Sequence, residues 1–142
     1  MSINPERDLA RLMMPTWRSL MDIEPKRCHE YRLSHWEYII LSDVEEHPGT
    51  SQRDVAQRIV RSASRIADDV ESLQARGLVT RTPAAHDRRV NCLQLTKAGR
   101  NLTQRIRRAI RADERELLSE LSPTEQNRLR ALLTKAIPTQ LL

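Results

Sequence analysis

A mainly α-helical fold with one small β-ribbon is what the sequence predicts, and three observations predict it. Apolar residues recur at three- and four-residue spacing along most of the chain. One stretch near the middle changes to β-prone residues around a turn. The same stretch is the basic part of the chain: residues 1–50 carry six Lys/Arg against nine Asp/Glu, residues 51–100 ten against five, and residues 101–142 eight against five. The balances of −3, +5 and +3 sum to the overall +5. An acidic first third beside a basic middle third draws a polyanion to one face rather than coating the molecule evenly. Of the 24 basic residues 21 are Arg, whose planar fork suits phosphate and guanine.

The elements follow in order. Leu9, Leu12, Met13, Trp17, Leu20 and Met21 mark an amphipathic helix, opened by Pro5 and ended at or just before Pro25. Ser34-His35-Trp36-Glu37 is a capping box, in which hydroxyl and carboxylate satisfy free backbone donors at a helix start. Behind it Trp36, Ile39, Ile40 and Val44 form the expected buried stripe, and Pro48-Gly49 stops the helix. Thr50 or Ser51 caps a short helix to about Ile59, facing Val55, Ala56 and Ile59 inward. After a turn at Val60-Arg61, Ser62 or Ser64 caps another helix carrying Ile66, Val70 and Leu73, and Gly77 closes it. Helix, tight turn and helix then lead into a ribbon: Leu78–Thr82 is β-prone, Pro83–Asp87 is turn-like, and Val90–Leu95 alternates. Thr96 caps a long helix to about Leu121, and Ser122-Pro123-Thr124-Glu125 is a second capping box before a last helix that stops near Pro138.

This outline is a winged helix-turn-helix flanked by N- and C-terminal helices, in one domain over residues 1–142. Residues 33–99 form the winged helix, while 5–24 and 97–138 supply helices that dimerise. A long helix of roughly 25 residues reaches about 37 Å and needs apolar cover from a second copy. A dimer would set two reading heads about one DNA turn apart. The chain reads as soluble and cytoplasmic, with no stretch suited to a membrane span.

Three motifs carry a resemblance: Leu73-Gln74-Ala75-Arg76-Gly77-Leu78-Val79 at the end of the second reading helix, Asp87-Arg88-Arg89 in the wing, and Leu93-Gln94-Leu95-Thr96-Lys97-Ala98-Gly99 entering the long helix. With them the chain resembles the MarR family of transcriptional regulators, in detail over residues 33–102. The resemblance implies a homodimeric repressor of a pseudo-palindromic double-stranded DNA operator, relieved by a small aromatic or phenolic effector. It also implies that Arg89 enters the minor groove, that Asp87 braces the wing, and that Arg88 meets phosphate. On the reading helices Ser62, Ser64, Arg65 and Asp68 are candidates for base or phosphate contact, and Gln52, Arg53 and Arg61 for the backbone. Asp68 either accepts from a cytosine amino group or pairs with Arg65. Val60-Arg61 occupy a turn where a Gly–apolar pair is common in the family.

For the effector, Trp17, Met21, His35, Trp36 and Tyr38 are candidate ligand contacts, set against the ordinary role of large side chains as core. Cys28, between Arg27 and His29, is a candidate redox thiol in surroundings that favour thiolate. Two other readings stand beside ligand response: a cysteine-based redox regulator, and a winged helix that binds protein without reading DNA. Cys28, His29, His35, Glu24 and Glu30 match no recurrent metal-ligand spacing, and no cofactor is expected. With no phosphate loop, no nucleophile elbow and scattered histidines, the chain does not read as an enzyme.

Overall fold

The structure is a computed structural model that describes residues 8–85, 87 and 89–136. Pro5, Arg88 and Pro138, named above, and His86 within the expected turn lie outside the described residues. The elements in order are α1 (Leu9–Glu30), α2 (His35–Glu46), β1 (Thr50–Ser51), α3 (Gln52–Arg58), α4 (Ala63–Ala75), β2 (Val79–Pro83), β3 (Asn91–Leu95), α5 (Lys97–Leu117) and α6 (Pro123–Ala136). They form two compact units: Glu24–Ala109, and residues 8–23 with 110–136.

The first helix does not stop at Pro25. Proline forgoes one helical hydrogen bond and crowds the preceding turn, yet α1 continues to Glu30. Beyond Pro25 it is anchored by Cys28, fully buried, and it closes by a Schellman motif. Arg32 takes the left-handed conformation at φ 56°, its N–H donates to the His29 carbonyl at 2.9 Å, and the Leu33 N–H donates to the Cys28 carbonyl at 3.0 Å. Packing of Leu33 and Cys28 outweighs the proline. The same motif ends α4: Gly77 at φ 68° donates to the Gln74 carbonyl, and Leu78 to that of Leu73.

Ser34 and Glu37 form both bonds of the expected capping box at the start of α2. The buried face is Glu37, Ile40, Leu41 and Val44, the i, i+3, i+4, i+7 set of one helical face, with Tyr38 buried beside it. Trp36 lies one position outside that set and is exposed, so the stripe is rotated from the expected one, with Ile39 half-buried. Ser51 caps α3 by accepting from the Asp54 N–H at 3.0 Å. Ser62, not Ser64, is the N-cap residue of α4, without a capping bond from its hydroxyl. Ile66, Val70 and Leu73 of α4 turn into the core as expected.

The sheet has the order β1-β3-β2, antiparallel throughout, with Thr50 opposite Leu93 and Arg81 opposite Leu93 on its other side. The two-residue β1 is too short to leave a periodicity in sequence, and Pro83, expected in the turn, instead ends β2 opposite Asn91. Leu93 is fully buried and Cys92 half-buried, on opposite phases of the strand. Thr96 caps α5, accepting from the Gly99 N–H at 3.0 Å while its hydroxyl meets the Gly77 carbonyl at 2.7 Å.

In the other unit α5 ends at Leu117, four residues before the expected Leu121. The Gln126 amide of α6 donates to the carbonyls of Leu118 and Leu121, both at 3.0 Å, satisfying acceptors that a longer helix would have paired internally. Ser122 and Glu125 make the second capping box. Arg130 binds Glu114 at 2.6 Å and ties α6 to α5. Leu9, Leu12, Met13, Trp17 and Met21 on α1, and Leu132 and Leu133 on α6, are exposed. No helix among the described residues is long and apolar enough to cross a membrane.

Candidate nucleic-acid interface

Helix α3 enters from β1 at a fixed angle because Arg58 closes it from behind. Its guanidinium forks onto the Asp43 carboxylate at 2.8 and 2.6 Å and reaches the Thr50 hydroxyl at 2.7 Å, and the Asp43 bond holds the Arg58 cation more firmly still. At the open end of α3, a groove of about 710 Å³ runs between its first turn, the first turn of α4 and the root of the wing. Gln52, Arg53, Ala63, Ile66, Arg89 and Asn91 are among its walls. The fold therefore brings Arg53 and Arg89, 36 residues apart in sequence, to one concave surface with both side chains exposed. Gln52 is half-buried, and its Oε1 is buried without a hydrogen-bond partner among the described residues.

The wing turn is tied by Asp87. Its carboxylate accepts the Arg89 N–H at 2.9 Å, a charge-assisted bond, and its carbonyl accepts the Val90 N–H at 3.0 Å. Arg89 is thus carried on a braced turn, as expected of Asp87, and Arg88 falls outside the described residues.

On α4, Ser62, Ser64, Arg65 and Asp68 are all exposed, with the two hydroxyls 3.5 Å apart. The Arg65–Asp68 pair offered as one role for Asp68 is not formed among the described residues. The neighbouring Asp69 is the paired carboxylate, bound to Arg61 at 2.6 Å. Arg61 is itself engaged within the unit: its guanidinium lies over the Trp36 ring, 4.3 Å from the centroid, and its side chain is 12% exposed.

The five candidate effector contacts are divided between the two units. Trp17 and Met21 lie exposed on α1 in the unit of 8–23 and 110–136. His35 hydrogen-bonds Glu24 at 2.8 Å, Trp36 carries Arg61, and Tyr38 is in the core, where burial raises its phenol above the usual range. Cys28 reverses the thiolate expectation: burial first, and Glu24 second, push the thiol up to about 12. Among the described residues no three His, Cys, Asp or Glu converge to hold a metal ion.

Sequence reasoning missed the contacts that join helices. Besides Asp43–Arg58 and Arg61–Asp69, the nearly buried Glu37 accepts from Ser72 of α4 at 2.6 Å, and Arg76 donates to the Arg32 carbonyl at 2.8 Å. These partners stand 15, 8, 35 and 44 positions apart, beyond the reach of any helical or strand period. Only the composition, rich in Arg and carboxylates, hinted at such pairs.

Residues 33–90 match the family model described as MarR family. Among solved structures, the apo form of MarR from E. coli superposes with a TM-score of 0.80 at 18% identity, covering 95% of this chain and 100% of that one. A MarR-family transcriptional regulator from Rhodococcus sp. RHA1 gives 0.74 at 26% identity, with 93% and 94% covered. A mutant of MepR from S. aureus bound to an oligodeoxyribonucleotide gives 0.68 at 22% identity, with 92% and 96% covered.

Proposed function

We propose, from the premise that this chain belongs to the MarR family of winged-helix regulators, that it is a homodimeric, sequence-specific repressor of transcription released by a small ligand. The observation that carries the DNA-reading part is the groove that Arg53 and the braced Arg89 share with the first turn of α4. In the proposed complex α4 lies in the major groove with Ser64 and Arg65 toward bases or phosphates. Arg89 enters the minor groove, whose negative potential favours Arg, and Arg53 holds the backbone. The oligonucleotide-bound MepR mutant supports this reading by analogy of fold.

Dimerisation is supported by the exposed apolar side chains of α1 and α6, which water penalises and a second copy would cover. A pseudo-palindromic operator then matches the two-fold axis. The effector, of aromatic or phenolic class, would act by changing the disposition of the two reading heads, since a ligand shifts an equilibrium only by its differential affinity for the two states.

The test is fluorescence anisotropy against duplex from upstream of the gene and scrambled duplex of equal length, over a salt series, with sedimentation velocity on the same sample. A dimer that prefers the native duplex by orders of magnitude supports the proposal. Equal weak binding to both duplexes counts against it and favours a winged helix that meets another protein.

A further inference from the structure

One cation in the basic middle third is withheld from the surface. Arg61 occupies the turn between α3 and α4, where its N–H donates to the Ala56 carbonyl at 2.9 Å. Its guanidinium is covered on one side by the Trp36 ring of α2, and its Nε donates to Asp69 of α4 at 2.6 Å. The Asp69 side chain is only 17% exposed, and the pair is neutral in sum. Guanidinium suits this place: it is planar enough to stack, weakly hydrated, and keeps a donor in plane for the carboxylate.

The preceding residue shows what the clamp holds. Val60 adopts φ 53° and is 88% exposed. A β-branched side chain in the left-handed region is strained, and at that exposure burial repays little of it, so the conformation persists because the residues around it are fixed. Ile59, half-buried, fixes one side of the turn and the Arg61 clamp the other.

At its far end α4 is held independently, by Ser72 on Glu37 and by Arg76 on the Arg32 carbonyl. Its N-terminal turns carry Ser62, Ser64 and Arg65, and there, beside the buried Ile66, Arg61–Asp69 is the polar side-chain tie to the rest of the unit among the described residues.

We propose that Arg61 is a positioning residue for DNA recognition: clamped between Trp36 and Asp69, it seats the N-terminal turns of α4 and so sets discrimination between operator and other DNA without touching phosphate. This rests on the reading of the chain as a DNA-binding regulator. Specificity is sensitive to such seating because base-edge contacts depend on close geometry, whereas phosphate contacts mostly supply sequence-independent affinity.

The experiment uses the full chain and the variants Arg61→Lys, Arg61→Gln, Trp36→Leu and Asp69→Asn, each measured on native and scrambled duplex over a salt series, with thermal melts to confirm folding. All four variants are expected to lose roughly 10-fold or more of the native-to-scrambled affinity ratio, the worth of about one good base contact. Affinity for scrambled duplex and its salt slope should stay at the wild-type value. Trp36→Leu added to Arg61→Gln should cost nothing further, since both break one clamp.

An Arg61→Gln protein whose salt slope falls by about 0.9 per protomer, about 1.8 for the dimer, on both duplexes, with its ratio intact, overturns the proposal in favour of a phosphate contact. Variants that melt normally and keep the wild-type ratio overturn it too. A wild-type protein with no preference for the native duplex removes the regulator reading, and the proposal with it.

Discussion

Replacing Gly99 by alanine sets two physical effects against each other. Gly99 is the third residue of α5, and by helix propensity alone an alanine there should stabilise the fold by about 1 kcal/mol. The surroundings oppose this. A Cβ at Gly99 would stand 2.0 Å from the Leu78 carbonyl oxygen and 2.9 Å from its carbon, so backbone must separate from backbone by more than an ångström. Neither side can yield alone. The Leu78 carbonyl already accepts the Thr96 N–H at 3.1 Å and the Thr96 hydroxyl at 3.2 Å, and that hydroxyl also caps α5 at Gly99 itself. Separation therefore costs overpacking strain of about 2 kcal/mol or more, and roughly 1 kcal/mol for each hydrogen bond stretched past use. Set against the propensity gain, the net loss is about 3 kcal/mol, or near 10 °C in melting temperature at about 3 °C per kcal/mol for a chain of this size. Urea titration with linear extrapolation, checked by a thermal scan, measures it directly. A Gly99→Ala protein as stable as wild type, or more so, would refute the close approach and the reasoning built on it.

Three further outcomes are expected. Arg89→Ala should lower the slope of log binding constant against log salt by about 0.9 per protomer, about 1.8 for the dimer, and weaken DNA binding, while leaving urea stability unchanged because the side chain is exposed. Asp87→Ala removes the acceptor of the Arg89 N–H, and should weaken DNA binding although residue 89 is intact; Asp87→Asn, which keeps a side-chain oxygen, should retain part of the affinity. For Cys28 the folded thiol is raised from 9.0 to about 12, so its stabilising contribution is complete below pH 9 and is lost as pH climbs from there toward 12, where the unfolded chain ionises first. Urea midpoints between pH 8 and 11 should fall less steeply in Cys28→Ala than in wild type, and iodoacetamide should label native Cys28 far more slowly than the unfolded chain.

Local chemistry was readable and long-range chemistry was not. Both capping boxes, Ser34–Glu37 and Ser122–Glu125, lie within four residues and announced themselves, as did Gly77 at its left-handed position. The end of α1 was misread because its closing residue is Arg32, which has no intrinsic preference for φ 56° and is held there by the burial of Leu33 and Cys28. An aromatic at helical spacing usually packs inward, which placed Trp36 in the expected stripe; the buried face of α2 is turned by one position, about 100° of rotation, onto Glu37 and Leu41, with Tyr38 beside them. At the interface, the wing brace is a contact of two positions and was legible. The clamp on Arg61 was not legible because its partners come from α2 and α4, and sequence gives no count of which arginines already have a carboxylate.

His35, Trp36 and Glu37 are consecutive, and successive helical side chains point about 100° apart. One turn of α2 therefore reaches Glu24 of α1, Arg61 in the turn before α4, and Ser72 on α4. For protein engineering, such a junction behaves as a single inherited part. A chimera that imports α4 from a relative should import the first turn of α2 and residue 61 with it; a graft of α4 alone would arrive with its anchorage cut.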